Sequence, residues 1–330
     1  MQRDARGRPS APTKIVEELF PIDVVMQENW RLLDLGFSIL QPMSAIQWLA
    51  QRRLIKNSVF CKNCNIQFGL NTYKDAKDGY RWNCKKCFKR KSVRDDSFFS
   101  ESRLSLQTLI TYIYCWSPNM PVSQIQHETG MKDSPNTFAD WASFCRDVCE
   151  VDLETNPLVI GGINTDGTPI VVEIDQIKFF HRKHHRGQWR QGHWVLGGIE
   201  RVSQKCFLVE VADQTAETLQ NLILKFILPG THIVSDGWAS YAGIKNLHHG
   251  IYSYAVVNQE KSFVEPLDNE THTKNIENLW LQVKRKMRHQ FGTREDLFTS
   301  HLHEFLWRQR YKDVSIFSAF LSCVSRQYPL

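Results

Sequence analysis

The stretch PIVVEID, from Pro169 to Asp175, is a run of β-branched residues that ends on an acid. Val and Ile favour strands. A second stretch of this kind, HIVSD, ends on Asp236. We therefore predict two strands of one sheet, each of which ends at a carboxylate.

The segments around these two strands follow a definite order. Residue alternation and helical periodicity predict strands over 194–200 and 206–211, helices over 216–228 and 237–247, a strand over 252–257 and a last helix over 272–290. Three strands, helix, strand, helix, strand, helix is the order of a ribonuclease-H-like α/β core. The first and fourth strands of such a core are neighbours, so Asp175 and Asp236 are expected to come together.

The last predicted helix carries one acid, Glu277, at the edge of its apolar stripe. Cations follow it and no acid occurs before Glu295. This acid can be an incidental one on a solvated face. The helix is also expected to cross the edge where the two strands end, which would bring Glu277 to Asp175 and Asp236. Three converging carboxylates repel each other unless cations share the site, and two Mg²⁺ ions about 4 Å apart suit them.

Four of the nine cysteines form two C-x-x-C pairs, Cys61 with Cys64 and Cys84 with Cys87. Each pair can place two thiolates on a tight knuckle, and two knuckles complete a tetrahedral zinc site. The segment between them indicates strands around an Asp78-Gly79 turn. We predict a structural Zn²⁺, because the protein fills all four ligand positions. The alternative is four reduced thiols packed in a core.

Basic residues are concentrated in three blocks without an acid, 81–94, 178–190 and 284–294. The net charge is only +6, so the distribution is more informative than the sum. Such blocks indicate a polyanion, usually DNA or RNA, although each can be a solvated face and the first can be a nuclear-import signal. The residues predicted to contact DNA are Lys85, Lys86, Lys89, Arg90, Lys91, Arg182, Lys183, Arg186, His272, Lys284, Arg285 and Arg288.

The chain before the predicted sheet is expected to be mainly helical. Helices are predicted over 20–37, 44–55, 104–118, 122–129 and 134–150. The last two form a helix-turn-helix candidate, in which Gly130 stops the first helix and Ser134 caps the second. In the arm at the N-terminus, Arg6-Gly-Arg8 resembles a minor-groove hook.

The sequence excludes several classes of protein. No run reaches the roughly 18 apolar residues of a membrane span, and the N-terminus lacks the apolar stretch of a signal peptide. We expect a soluble intracellular protein, nuclear in a eukaryotic cell and cytoplasmic otherwise, in which Cys115, Cys145, Cys149, Cys206 and Cys323 pack as thiols. No P-loop, nucleophile elbow or dinucleotide fingerprint occurs.

These features resemble transposases of the Merlin superfamily, which comprises eukaryotic cut-and-paste DNA transposons and bacterial insertion-sequence relatives with DDE catalytic domains. The resemblance covers roughly residues 40–310. The matching stretches are Val172–Asp175, His185–Trp189, Gly192–Glu200, Ser235–Tyr241, Val257–Asn258, Phe263–Val264 and His272–Glu277, with Trp280 and Lys284.

The resemblance implies a catalytic triad of Asp175, Asp236 and Glu277, dependence on Mg²⁺ or Mn²⁺, and binding to terminal inverted repeats. Two positions depart from the family pattern. The family commonly has Glu where this chain has Gln176, and often His where it has Gln259. If that His positions DNA or the leaving group, the change would reduce activity.

We therefore predict a multidomain α+β protein. Its parts are a disordered basic arm (1–19), helices with a zinc ribbon (20–98), a helix-turn-helix DNA-binding region (99–160) and a ribonuclease-H-like DDE catalytic domain (161–330). The expected partner is double-stranded DNA, both transposon ends and target, and at least a dimer is needed to hold two ends. The alternatives are a domesticated DNA-binding protein without catalysis and a structure-specific or hybrid-cleaving nuclease.

Overall fold

The computed structural model describes residues 11–131, 135–179, 192–241, 243–257, 272–289 and 297–330. In chain order, its first elements are α1 (Ile22–Gln27), α2 (Leu32–Ser38), α3 (Pro42–Gln51), β1 (Phe60–Cys61), β2 (Ile66–Gln67), β3 (Gly69–Thr72), β4 (Tyr80–Asn83), β5 (Arg90–Ser92), α4 (Leu106–Trp116), α5 (Val122–Thr129) and α6 (Pro135–Thr155).

The remaining elements are β6 (Ile160–Gly161), β7 (Val171–Phe179), β8 (His193–Glu200), β9 (Cys206–Val211), α7 (Ala216–Phe226), β10 (Ile227–Leu228), β11 (His232–Asp236), two 3₁₀ helices (Ala239–Tyr241 and Ile244–His249), β12 (Ser253–Val257), α8 (Lys274–His289), α9 (Phe298–Arg310) and α10 (Ile316–Gln327). Within the described ranges, no helix combines the length and hydropathy that a bilayer span requires.

The chain divides into two compact units, Met1–Asp152 with Tyr311–Leu330, and Leu153–Arg310. This grouping differs from the predicted catalytic domain, which ran to residue 330. The physical reason is aromatic packing of α10 within the first unit. Phe317 stacks on Trp48 at 6.2 Å, and Phe320 meets Trp116 edge-on at 5.2 Å. The last helix therefore serves the N-terminal unit.

The predicted helix over 20–37 is broken in the structure into α1 and α2. The backbone at Glu28 is extended, and its carboxylate accepts hydrogen bonds from Arg52 Nε and Nη2 at 2.8 and 2.6 Å. The Arg52 guanidinium also lies 4.1 Å from the Trp48 ring centroid. A buried cation is costly unless it is paired, and this pairing fixes the chain outside a helix at Glu28.

The two helices around Gly130 have the predicted positions. Helix α5 has the predicted bounds, and Gly130 at its end has a left-handed φ of 68°, which glycine adopts without strain. Helix α6 begins at Pro135 and extends to Thr155, five residues further than predicted. The predicted cap at Ser134 lies outside the described residues.

The second unit contains a five-stranded mixed sheet in the order β12-β11-β7-β8-β9. Strands β7, β8 and β9 form an antiparallel meander, and β11 is parallel to both β7 and β12. The first and fourth strands of the predicted order, β7 and β11, are therefore neighbours, as the sequence indicated. Strands β6 and β10 form a separate short parallel pair.

The sheet has a hydrophobic core on each face, as expected for strands that are apolar on both sides. On one face, Val172, Ile174 and Ile233 pack with Leu219 and Ile223 of α7. On the other, Val195, Ile199 and Leu208 join the inward residues of α8 and α9. These are Ile276, Leu279, Trp280, Val283, Met287, Phe298, Leu302, Phe305 and Leu306. The apolar stripe predicted on the last helix thus packs on the sheet.

The prediction that the first strand ends at Asp175 was wrong. Strand β7 continues to Phe179, and its pairing with β8 runs from Val172↔Glu200 to Phe179↔His193. Lys178 interrupts the apolar run in the sequence, but Ile177 and Phe179 still face the core shared with α8. Pairing with β8, and not the run of apolar residues, sets where the strand ends.

Candidate active site and candidate zinc site

The parallel pairing of β7 with β11 places two of the predicted catalytic acids side by side. The observed register includes Val171↔His232 and Glu173↔Val234. Asp175 and Asp236 each follow two residues after the last of these pairs, so they lie at the same level of the sheet. Because side chains alternate along a strand, both belong to the face that α8 covers.

A tryptophan of α8 holds the Asp175 carboxylate. Trp280 Nε1 donates a hydrogen bond of 2.9 Å to Asp175 Oδ2, and the backbone N–H of Gln176 donates one of 2.7 Å to Oδ1. The indole lies over Gly197, the residue paired with Asp175 on β8, where an added Cβ would stand 2.7 Å from the ring. Glycine at 197 therefore makes room for the side chain that orients Asp175.

The environment of Asp175 disfavours its charged form. Burial raises its pKa from the ordinary value of 3.8 to about 6, although the hydrogen bonds from Gln176 and Trp280 lower it, and the charges of Asp236 and Glu277 raise it further. A nearby like charge disfavours the ionised form of a carboxylate. A carboxylate with this profile gains most when a cation enters, because the cation relieves both burial and repulsion.

Asp236 offers an oxygen without a protein partner. Its Oδ1 is buried and makes no hydrogen bond within the described part of the chain. The nearby Tyr241 hydroxyl is also buried, and burial together with the charges of Asp175 and Asp236 raises its pKa. An orphaned carboxylate oxygen beside a second carboxylate is the kind of donor that Mg²⁺ takes, since its ligands in proteins are oxygens.

Glu277 occupies the first turn of α8 and is exposed. Thr273 Oγ1 donates to its Oε1 at 3.4 Å. Among the described residues, the four thiol sulfurs all lie within 4.8 Å of one another, whereas the carboxylate oxygens of the three acids do not. Two ions about 4 Å apart do not require it, because one shared acid can bind both ions while each outer acid binds one.

An acid that the sequence analysis did not single out lies at the centre of this region. Glu173 is fully buried and accepts hydrogen bonds from Arg201 Nε at 2.8 Å and from the backbone N–H groups of Asn275 and Ile276 at 2.9 and 3.1 Å. The signal for it was in the sequence: an acid inside the apolar run PIVVEID is costly to bury unless it has partners.

The four predicted zinc ligands come together. The Sγ atoms of Cys61, Cys64, Cys84 and Cys87 all lie within 4.8 Å of one another, and Cys61 Sγ is 3.6 Å from Cys87 Sγ. A tetrahedral Zn²⁺ with Zn–S bonds of about 2.3 Å separates its sulfurs by about 3.8 Å. The thiol cluster therefore has the size and the donor set of a Cys₄ zinc site.

Two matching knuckles build this cluster. The Cys61 carbonyl accepts from the N–H groups of Cys64 and Asn65, and the Cys84 carbonyl accepts from Phe88. Asn65 and Phe88, each just after the second cysteine of its pair, have left-handed φ angles of 55° and 58°. This tight turn directs both thiols of a pair to one point.

Backbone donors prepare one thiol of the cluster for a cation. The N–H groups of Cys87 and Lys86 lower the pKa of Cys84 to about 6. Burial and the neighbouring thiols raise the pKa of Cys64 to about 12. A divalent cation would favour the thiolate form of the cysteines that bind it.

The predicted DNA contacts of the ribbon are solvent-accessible. Strand β5 pairs with β4, and together with β3 they form a small antiparallel sheet. Arg90 Nη1 donates to Tyr73 Oη at 2.7 Å, and Arg81 lies over the same ring at 4.8 Å. Lys85, Lys86, Lys89 and Arg90 are exposed, and Lys91 is half-buried.

The basic residues of α8 do not share one role. Arg285 and Arg288 are exposed and Lys284 is half-buried, whereas Lys286 Nζ lies 3.0 Å from Oε1 of the buried Glu304. The imidazole of His272 turns towards Glu173, with Nδ1 3.2 Å from Oε1. The predicted contacts Arg182, Lys183 and Arg186, and the departure at Gln259, lie outside the described residues.

The second unit matches the model of a known protein family. Residues 159–310 match the family model described as the ISXO2-like transposase domain. The match supports a DDE transposase. It spans the five-stranded sheet and helices α7 to α9, and so includes Asp175, Asp236 and Glu277. A search of curated protein sequences found no match.

Several solved structures resemble part of the chain weakly. The HTLV-2 integrase catalytic core domain in complex with magnesium is 12% identical with a TM-score of 0.29, over 43% of this chain and 85% of that one. The simian T-cell lymphotropic virus intasome in complex with PP2A regulatory subunit B56 gamma is 13% identical with a TM-score of 0.31, over 60% of this chain and 67% of that one. The catalytic core domain of BIV integrase is 11% identical with a TM-score of 0.30, over 48% of this chain and 97% of that one.

Proposed function

We propose that this protein is a DNA transposase that binds the terminal inverted repeats of its element and cuts and rejoins DNA. The observation that carries the proposal is the placement of Asp175 and Asp236 at one level of adjacent parallel strands, in a unit that matches a transposase domain. Glu277, on the helix that covers the same sheet face, supplies the third acid.

Each residue has a distinct task in this proposal. Mg²⁺ or Mn²⁺, when bound, supplies Lewis-acid activation of the attacking oxygen and stabilisation of the leaving oxygen. Asp175 would hold the cations from the centre of the site, and Trp280 keeps its carboxylate in place. Asp236 would offer its unpartnered Oδ1 from one side. Glu277, which is exposed, would close the other side.

The first unit is proposed to recognise DNA. Zinc would fix the two knuckles of the ribbon and so present Lys85, Lys86 and Lys89 to phosphates. Helices α5 and α6 are proposed to act as a helix-turn-helix, and Lys284, Arg285 and Arg288 to contact the backbone near the acids. The functional form with DNA is proposed to be a dimer or larger, because two transposon ends must be joined.

A strand-transfer assay with paired transposon-end DNA, Mg²⁺ and a target plasmid tests this function. The wild type should cut and join the ends, and Asp175→Asn should lose the joined product while it retains end binding in a gel-shift assay. End binding without any product from the wild type would favour the domesticated DNA-binding protein. Cleavage of the RNA strand of an RNA–DNA hybrid, with no joined DNA, would favour the nuclease.

A further inference from the structure

Glu173 is a fully buried acid on the strand that carries Asp175, and no step of the proposed reaction uses it. It lies two residues before Asp175, so both side chains are on the face that α8 covers. A buried carboxylate needs several partners to offset the loss of its hydration. Glu173 has them, and they all come from segments that border the start of α8.

The partners of Glu173 include hydrogen-bond donors at the N-terminal end of α8. Oε2 accepts from the backbone N–H groups of Asn275 and Ile276, the second and third residues of α8, at 2.9 and 3.1 Å. Oε1 accepts from Asn275 Nδ2 at 2.8 Å. The first N–H groups of a helix have no partner within the helix, and their positive end attracts an anion. Glu173 therefore caps α8 from the neighbouring strand.

The turn between β8 and β9 reinforces this cap. Arg201 Nε donates to Glu173 Oε1 at 2.8 Å, and Arg201 Nη2 donates to the His272 carbonyl at 2.7 Å. Gln204 Nε2 donates to Asn275 Oδ1 at 3.3 Å. Residues 272–276 are thus held on three sides just before Glu277.

The cap also affects Glu277 directly. A threonine in the position of Thr273 usually caps its own helix with its hydroxyl oxygen. Here Glu173 takes the N–H groups of Asn275 and Ile276, and the Thr273 hydroxyl instead donates to Glu277 Oε1 at 3.4 Å. Capping from the strand leaves that hydroxyl available to orient the predicted third ligand.

From these contacts we infer that Glu173 is a positioning residue, which fixes the first turn of α8 so that Glu277 meets the cations held by Asp175 and Asp236. The inference rests on the proposed function. A general stabilising role would not require these partners, since apolar side chains can fill a buried site at least as well as an ion pair. What an apolar residue cannot do is to fix the register of a helix end against a strand.

Mn²⁺ binding to the whole protein, followed by the EPR signal of free Mn²⁺, gives a readout that does not depend on activity. Glu277→Gln should weaken Mn²⁺ binding. Glu173→Gln should weaken it by about 10- to 100-fold, the usual cost of losing a partner behind a metal ligand. In a Glu277→Gln background, Glu173→Gln should add little, because it acts through the residue already removed.

Glu304 provides the matched control. It is a second buried glutamate of the same unit, and it holds the far half of α8 through Lys286 at 3.0 Å. Glu304→Gln should lower the thermal midpoint yet leave the Mn²⁺ affinity of the folded protein within about twofold. Its partner Lys286 lies about 13 Å beyond Glu277 along the helix, and sites so far apart act independently. If Glu173→Gln does not fold, Asn275→Ala, which removes the side-chain donor to Glu173 together with the acceptor of the Gln204 hydrogen bond, should weaken Mn²⁺ binding in the same direction.

Three results would overturn the inference. The first is an unchanged Mn²⁺ affinity in folded Glu173→Gln, or in Asn275→Ala when that variant replaces it. The second is a full additional loss in the Glu277→Gln background, which would mean that Glu173 does not act through Glu277. The third is an unchanged affinity in Glu277→Gln itself. That result removes the proposed metal site, and the positioning role with it, and so separates failure of the function from failure of the inference.

Discussion

The thiol cluster and the carboxylate site are both candidate metal centres, but they are assembled differently. Cys61 and Cys87 are 26 residues apart, and two local turns bring all four sulfurs within 4.8 Å. Asp175 and its partner Trp280 are 105 residues apart, and the acids come together only through the sheet and α8. Local turns can close a site by themselves, whereas a site built from distant elements depends on the whole fold.

The charges of the ligands add to this difference. Thiols are neutral when protonated and pack against each other, so the ribbon can preform its site. Carboxylates of like charge repel, which is why Asp236 and Glu277 raise the pKa of Asp175. In our proposal the ribbon therefore keeps its structural zinc bound at all times, and the carboxylate site binds cations together with DNA.

The largest expected effect is loss of the ribbon metal. Cys84→Ser removes one of four ligands, and the purified protein should carry no zinc where the wild type carries one ion per chain, as measured by mass spectrometry of the metal. The cost is on the order of 10 kcal/mol of zinc-binding free energy, which contributes to folding of the first unit. Cys115→Ser, a buried thiol outside the cluster, should retain the zinc. Zinc retained in Cys84→Ser would show that the ribbon is not the site.

The second effect is catalytic. Asp236→Asn should lower the rate of strand transfer by at least about 10³-fold, because a lost metal ligand removes several kcal/mol of transition-state stabilisation. Binding of the transposon end and the thermal midpoint should change little. Asp313→Asn, at an exposed position of the first unit, is the control and should have the wild-type rate. A comparable loss in both variants would contradict the proposed site.

A third effect concerns pH and sharpens the contrast in charge. Folding raises the pKa of Asp175 to about 6, so the folded state binds its proton more tightly than the unfolded state does between about pH 4 and 6. The contribution of Asp175 to stability, without added divalent cations, should therefore fall as pH rises through this window, by up to about 3 kcal/mol.

Urea unfolding at several pH values measures this slope, with no chelator present, since a chelator would strip zinc. Other acids also titrate here, so the contribution of Asp175 is the difference in slope between the wild type and Asp175→Asn, and Asp175→Asn should be the more stable protein at pH 7. Mg²⁺ should oppose the fall in the wild type, because it favours the ionised acid. An identical pH profile in the two proteins would contradict the assigned environment of Asp175.

The smallest effect separates contact with DNA from support of the fold. Arg288→Ala removes an exposed cation and should reduce the slope of log affinity against log salt by about 0.9, with the thermal midpoint unchanged. Lys286→Ala should lower the thermal midpoint and leave the salt slope unchanged, because its amine pairs with the buried Glu304. Fluorescence anisotropy with labelled end DNA and thermal unfolding distinguish the two. Equal salt slopes for Arg288→Ala and the wild type would remove Arg288 from the DNA interface.

Much of the sheet could be predicted because its residues follow strict patterns. The bounds of β9 and α5 agree with the sequence prediction, and the neighbouring positions of β7 and β11 follow from the order of elements. The end of β7 could not be predicted, since its partner β8 extends the pairing past Asp175. Pairing between distant segments decides such ends, and no local pattern contains it.

The candidate site was predictable in its acids but not in their support. Asp175 and Asp236 end or interrupt apolar runs, which makes them visible in the sequence. Trp280 packs on the sheet with the other apolar residues of α8, but its ring nitrogen also holds Asp175, which no sequence pattern indicates. The caps made by Glu173 and the space left by Gly197 depend on three-dimensional contacts with α8.

A crystal structure of the protein with paired transposon-end DNA and Mn²⁺ tests the central claim most directly, because the anomalous signal locates the ions. We predict two Mn²⁺ ions about 4 Å apart, with Asp175 bound to both and Asp236 and Glu277 each bound to one. Manganese bound elsewhere, or carboxylate oxygens of the three acids more than about 10 Å apart with no ion between them, would contradict the account.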